Sequence, residues 1–138
     1  GKELGRDDFT KIPNGLPGVG DRLPILWTYG VRAGKISANQ FVALTSTNPA
    51  KIFGLYPRKG ALVPGADADL VIWDPEKKVK YGVAHSHHRT DYNLFEGWEL
   101  VGMPEKVFLR GKLIVDGNVW LGAAGQGQFL KRGAGEVL

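Results

Sequence analysis

Leu70-Val71-Ile72-Trp73, closed by Asp74-Pro75, is the stretch on which the fold turns. A short, unbroken apolar run between the turn residues Pro64-Gly65 and the pair Asp74-Pro75 predicts a buried β-strand. Downstream the period stays that of strands. Val79, Tyr81 and Val83 alternate with Lys78, Lys80 and Gly82, which predicts a half-exposed strand. Lys106 to Val115 reads as a hairpin folded at Arg110-Gly111, and Asp116-Gly117 is a second tight turn before Val119-Trp120. Residues 122–138 are Gly-rich and basic and read as an arm lying on a surface.

Upstream the period changes to that of helices. Asp21 is placed to cap a helix with Pro24 in its first turn; Leu23, Leu26 and Trp27 form one apolar face, and Gly30 closes it. Ser37 and Gln40 have the spacing of a capping box, followed by Phe41 and Leu44. A third, short helix starts at Asn48-Pro49, carries Ile52 and Phe53, and stops at Gly54. Residues 1–20 read as a loop, long enough to expect a task for it. The chain is therefore α+β, helical over 21–56 and β over 61–121, and both halves look incomplete.

Composition narrows the function classes. The 138 residues carry 18 Lys+Arg against 14 Asp+Glu, a net charge of +4 scattered without a dense stripe, so a nucleic-acid surface is not indicated. With 43% hydrophobic residues the chain supports a core. No run approaches the roughly 18 apolar residues of a membrane span, and the start Gly1-Lys2-Glu3-Leu4-Gly5-Arg6 is too polar for a signal peptide. There is no cysteine, hence no disulfide, thiolate nucleophile or Cys-ligated zinc, and a cytoplasmic location is expected. A complete (β/α)8 barrel needs about 250 residues, more than this chain has.

Few residues offer chemistry. His85 and His87 would point the same way on a strand, a two-ligand arrangement for a metal; the reading adopted is a polar loop whose histidines, with His88, cap backbone groups. Asp67 and Asp69 have the i, i+2 spacing of an acid/base pair, but aspartates entering a strand more simply tie down its turn by bonding backbone N–H groups two residues on. The Ser and Thr residues have no nearby His partner, and no Gly-rich phosphate loop follows a strand. Asn14 stands between a rigid Pro13 and a permissive Gly15, either a plain turn or a loop offering backbone N–H and C=O groups to a planar polar ligand.

Several longer runs resemble a known family. They are Asp8-Phe9-Thr10-Lys11-Ile12-Pro13-Asn14-Gly15; Thr45 to Gly60, containing Tyr56-Pro57-Arg58-Lys59-Gly60; Gly65-Ala66-Asp67-Ala68-Asp69-Leu70-Val71 to Pro75; Asp91-Tyr92-Asn93-Leu94-Phe95-Glu96-Gly97; and Gly125 to Arg132. Together they resemble the carboxy-terminal part of dihydropyrimidinases and D-hydantoinases over essentially the whole chain. The Ile12-to-Gly15 and Tyr56-to-Gly60 segments are the specific ones; Gly65-to-Val71 is shared across many amidohydrolases.

The resemblance implies that residues 1–60 are the last loop and helices of a (β/α)8 barrel. Residues 61–121 are then strands of a small β-sandwich, and 122–138 a C-terminal arm. It implies hydrolysis of the cyclic amide of dihydropyrimidines or hydantoins by two divalent metals, usually zinc. Their ligands (a His-x-His pair, a carboxylated Lys, two further His and an Asp) precede Gly1 in the family pattern. This chain is then expected to hold no cofactor and to be inert alone, within an enzyme that is a homo-oligomer. One substrate-binding position carries over: Asn14 matches the family Asn whose backbone groups hydrogen-bond the cyclic amide. The non-enzymatic collapsin response mediator proteins typically carry Lys there. Gly20 departs from the pattern, since relatives often have Glu before Asp21-Arg22. A stand-alone, non-catalytic oligomerisation module is the alternative. If the barrel wall is missing, Leu23, Leu26, Trp27, Phe41 and Leu44 are expected to leave an exposed apolar patch.

Overall fold

The computed structural model describes residues 1–138. Its helical half is three short helices: α1 (Arg22–Leu26), α2 (Ala38–Val42) and α3 (Asn48–Ile52). The first two run on into π-helical turns, Trp27–Val31 and Ala43–Thr47. In the first of these the Arg32 N–H reaches the Trp27 carbonyl at 2.9 Å, so Gly30 lies inside the helix rather than ending it. The chain reverses at Gly34, whose φ is +69°. The capping box at α2 forms as its spacing predicts: Gln40 N–H donates to Ser37 Oγ (3.1 Å) and Ser37 N–H to Gln40 Oε1 (2.8 Å).

The β half is one antiparallel sheet in the order β1-β2-β3-β4, comprising Leu70–Lys80, Glu99–Leu109, Lys112–Asp116 and Val119–Trp120. The hairpin folds at Arg110-Gly111, both at positive φ (48° and 76°), as a two-residue turn matched to strand twist demands. Two expectations need correction. Asp74-Pro75 does not end the first strand. A bulge between Asp74 and Lys78 absorbs the proline, with Asp74 Oδ1 accepting the Glu76 and Lys77 N–H groups, and one strand runs on to Lys80. Val83 accordingly falls outside it, in a 3-10 turn over Val83–His85. Nor is the strand's first half buried: Leu70, Val71 and Ile72 are exposed, the latter two at 51%.

The helices lie against this sheet. Thr28 bonds Val101 on β2 through its hydroxyl, accepting the Val101 N–H and reaching its carbonyl, each at 3.0 Å. Trp27, Phe41 and Trp73 form an aromatic cluster with ring centroids 5.2–5.7 Å apart. Trp27 and Phe41 thus meet the sheet, not an empty space, and Leu23 and Leu26 are half-buried, which corrects the expectation for those four residues; Leu44 remains exposed. The Trp27 indole fits because β2 carries Gly102 at φ +94°, where a Cβ would collide with the ring. Tyr81, Leu100 and Met103 are the buried centre, lined by Ile25, Val79 and Phe95.

Candidate functional site

A cleft of about 720 Å³ opens between two irregular segments, Pro13–Val19 on one wall and His88–Tyr92 on the other. Asn14 lies on the first wall and is exposed. Pro13 holds the entry stiff, and Gly15, at φ +75° with open space where a Cβ would stand, turns the chain. Lys2 reaches across the base of this turn, its ammonium donating to the carbonyls of Pro13 and of Gly15, the latter at 2.7 Å. The Asn14 side chain makes no hydrogen bond that would fix the turn, so the backbone geometry is set by its neighbours.

The two walls are tied together where the loop enters α1. Gly20 N–H donates to His88 Nε2 at 3.1 Å. One residue on, Asp21 is 1% exposed, and its Oδ1 accepts from Tyr81 OH (2.9 Å) and Asn93 Nδ2 (3.2 Å). Asn93 is itself oriented, its Oδ1 accepting the Phe95 N–H at 2.7 Å. Burial, reinforced by the Asp21 carboxylate, pushes the Tyr81 phenol well above the usual tyrosine range, so it stays a donor. The expectation of Asp21 as a helix cap is corrected here: its side chain caps nothing and serves as a long-range buried acceptor. Asp21 Oδ2 has no partner.

The three histidines do not converge. His85 ends the 3-10 turn with its ring stacked on Tyr81, centroids 6.2 Å apart, and His87 is exposed in the following loop. His88 leaves that loop for the cleft wall. With its Nε2 lone pair committed to Gly20, and no three His, Asp or Glu side chains grouped to hold a metal ion, the donors present do not fit a metal pair.

Asp67 and Asp69 are brought together, but by a shared cation rather than a substrate. Lys59 Nζ lies 2.9 Å from Asp67 and also bonds Asp69, whose Oδ1 accepts the Arg110 N–H at 2.8 Å and so pins the hairpin turn. The Lys59 hydrogen bond holds the Asp67 carboxyl below the usual aspartate range. Burial opposes the Lys59 charge, yet its two carboxylate partners together keep that ammonium above the usual lysine range.

Sequence reasoning singled out Asn14 but missed Lys2, the buried acceptor role of Asp21 and the particular amide that His88 holds. The partners of Asp21 lie 60 and 72 residues away, and that of His88 lies 68 away; no local spacing marks them. The position of Gly20 was the available signal. A Cβ there would touch His88 Nε2 at 3.5 Å, an ordinary contact, so the departure from Glu leaves the tie intact.

A family model described as the amidohydrolase family matches residues 22–114. The chain is 48% identical over 131 residues to a dihydropyrimidinase of Rattus norvegicus, and 50% identical over 131 residues to a D-hydantoinase of Geobacillus stearothermophilus. These matches cover 95% of this chain and 25% and 28% of those proteins. The solved D-hydantoinase of Bacillus sp. AR9 superposes with a TM-score of 0.91 at 51% identity, over 99% of this chain and 30% of that one. The chain thus spans between a quarter and a third of the length of the relatives it matches.

Proposed function

This chain belongs to the amidohydrolase family, and on that premise we propose that it is the C-terminal segment of a metal-dependent enzyme hydrolysing the cyclic amide of dihydropyrimidines or hydantoins. The observation that carries the reading is the pairing of about half identity with near-complete coverage by D-hydantoinase and dihydropyrimidinase. In this reading residues 1–60 complete a barrel, 61–121 belong to a small β-sandwich and 122–138 are the C-terminal arm. The metal pair, zinc in the family pattern, is held by residues outside this chain. The bare faces of Leu70, Val71, Ile72 and Leu44 suit a segment that other parts of an enzyme cover. No observation favours the stand-alone module.

Asn14 is the substrate-binding residue of this chain. A cyclic amide presents a carbonyl and an N–H side by side in one plane, and the N–H and C=O of a single backbone residue can meet both. The Pro13-Asn14-Gly15 turn, clamped by Lys2, supplies such groups on a cleft wall.

The test replaces the matched segment of the Geobacillus stearothermophilus D-hydantoinase with this chain. Hydrolysis of a 5-substituted hydantoin or of dihydrouracil is expected. Within that chimera Asn14→Ala is mild, whereas Asn14→Pro, which removes the N–H donor, lowers kcat/KM by about 10- to 100-fold. A folded, metal-loaded chimera that hydrolyses neither compound overturns the reading.

A further inference from the structure

We propose that His88 is a positioning residue for the cyclic-amide substrate: it fixes the Asn14 loop from across the cleft and thereby governs substrate affinity. The inference rests on the functional reading above for the identity of the ligand, and on geometry for the rest.

Residues 13–20 have no regular structure and few anchors. Their carbonyls at Pro13 and Gly15 are held by Lys2, and the Gly18 carbonyl accepts the Asp21 N–H at 3.2 Å within the same segment. The one hydrogen bond from this segment to the opposite wall is Gly20 N–H to His88 Nε2. The next residue is locked by the buried Asp21, Tyr81 and Asn93 cluster, so Gly20 is the first loop position that can give way.

The ring of His88 is poised by this contact alone. Accepting at Nε2 places the ring proton on Nδ1, and Nδ1 is buried with no partner. No second hydrogen bond competes to orient the imidazole. His88 and Asn14 line the same cleft, and the chain from Asn14 to Gly20 has no other hydrogen bond to the His88 wall, so losing the Gly20 tie frees the Asn14 turn to move. A positioning contact of this kind is read in KM. His88 touches no reacting atom in this reading, so kcat is retained.

Two arms test the proposal. Hydrogen exchange on the folded chimera compares His88→Leu with His88→Gln, which returns an acceptor at the Nε2 position. In His88→Leu a peptide covering 13–20 is expected to exchange about fivefold faster, with a peptide covering 99–109 unchanged and His88→Gln restoring the rate. In the active chimera His88→Leu raises KM by about five- to tenfold with kcat retained, and His88→Gln recovers it. Unchanged exchange over 13–20, acceleration spread across 99–109, or a fall in kcat at constant KM overturns the proposal. A wild-type chimera without activity defeats the functional reading instead, and the exchange arm then decides the positional one.

Discussion

The two ends of β1 are both held by aspartates, and they are held in opposite ways. Just before the strand, Asp67 and Asp69 share Lys59 near the surface, with partners 8 and 10 residues away in sequence and a hairpin amide from Arg110. Just after it, Tyr81 donates to Asp21 in the interior, where the carboxylate meets only neutral donors drawn from 60 and 72 residues away. This half-buried ion network pairs charges that stay partly screened by water, so its net gain is modest. A buried carboxylate is costly to place and costlier to leave unpartnered, so the second end carries more of the fold's specificity. The same residue type thus serves as a local turn clamp at one end and as a long-range organiser at the other.

The sharpest way to break that comparison is Asp21→Ala. Tyr81 OH and Asn93 Nδ2 both lose their acceptor in a buried setting, at about 1–3 kcal/mol each. A loss of about 3 kcal/mol or more is expected from urea unfolding, enough to unfold a marginal chain. Asp21→Asn, which keeps the shape and one acceptor oxygen, should lose less. If Asp21→Ala costs no more than a surface substitution, the buried cluster is not the organiser claimed here.

Gly102→Ala comes next and asks whether the two ends are independent. Gly102 adopts φ +94°, and an added Cβ would strike the Trp27 indole under the sheet. Strain and overpacking together should cost about 2 kcal/mol. The contact it disturbs lies opposite the Asp74–Lys78 bulge at the middle of β1, is made by the helix that Asp21 precedes, and leaves the Lys59 network untouched. Its effect should therefore add to that of a Lys59 variant and couple to that of Asp21→Asn. A double-mutant cycle in urea measures both, and coupling to Lys59 would join what is separated here.

How far the sequence reveals this architecture follows the same division. Local rules read correctly wherever the partners are local. The Ser37–Gln40 box and the Arg110-Gly111 turn rest on neighbours three residues apart or on backbone φ alone, whereas Asp67 and Asp69, expected to tie their own turn through the amides two residues on, bond Lys59 instead and, from Asp69, the Arg110 N–H 41 residues on. Where tertiary partners decide, local rules mislead. Asp21 sits in a helix-cap position and yet points its carboxylate at Tyr81 and Asn93. Asp74-Pro75 has the form of a strand end, but the bulge accommodates it because Asp74 satisfies the two amides that follow the proline. Asn14 is legible as a presented turn; the Lys2 clamp and the His88 tie that hold it are side-chain contacts across the fold, without a sequence signature.

The smallest expected effect belongs to Lys59→Met, and its value lies in its pH signature. Asp67 titrates in the folded chain below its ordinary value of 3.8, chiefly because Lys59 donates to it. Its stabilising contribution is therefore present above 3.8 and is lost as pH falls through the lower folded value. Lys59 is raised above 10.5, so its contribution is present below that pH and fades as pH rises through the folded value. Tyr81, at the other end of β1, is raised above 10.0 by burial first and by Asp21 second, and it too loses its contribution only on the alkaline side. The acid limb of a stability–pH curve thus carries the clamp together with Asp8 and Asp91, and the alkaline limb carries Lys59, Tyr81 and Lys106. Lys59→Met should make the acid limb shallower without abolishing it, because Asp8 is independently held low by Thr10. The alkaline limb should persist through Tyr81, and the variant Tyr81→Phe should reduce it while leaving the acid limb alone. Urea midpoints between pH 2 and 11 in the wild type and the two variants supply the curves. An acid limb that Lys59→Met leaves unchanged would mean that Lys59 does not hold Asp67 low in the folded chain, and one that Tyr81→Phe alters as much would couple the clamp to the buried cluster; either result ends the contrast between the two ends of β1.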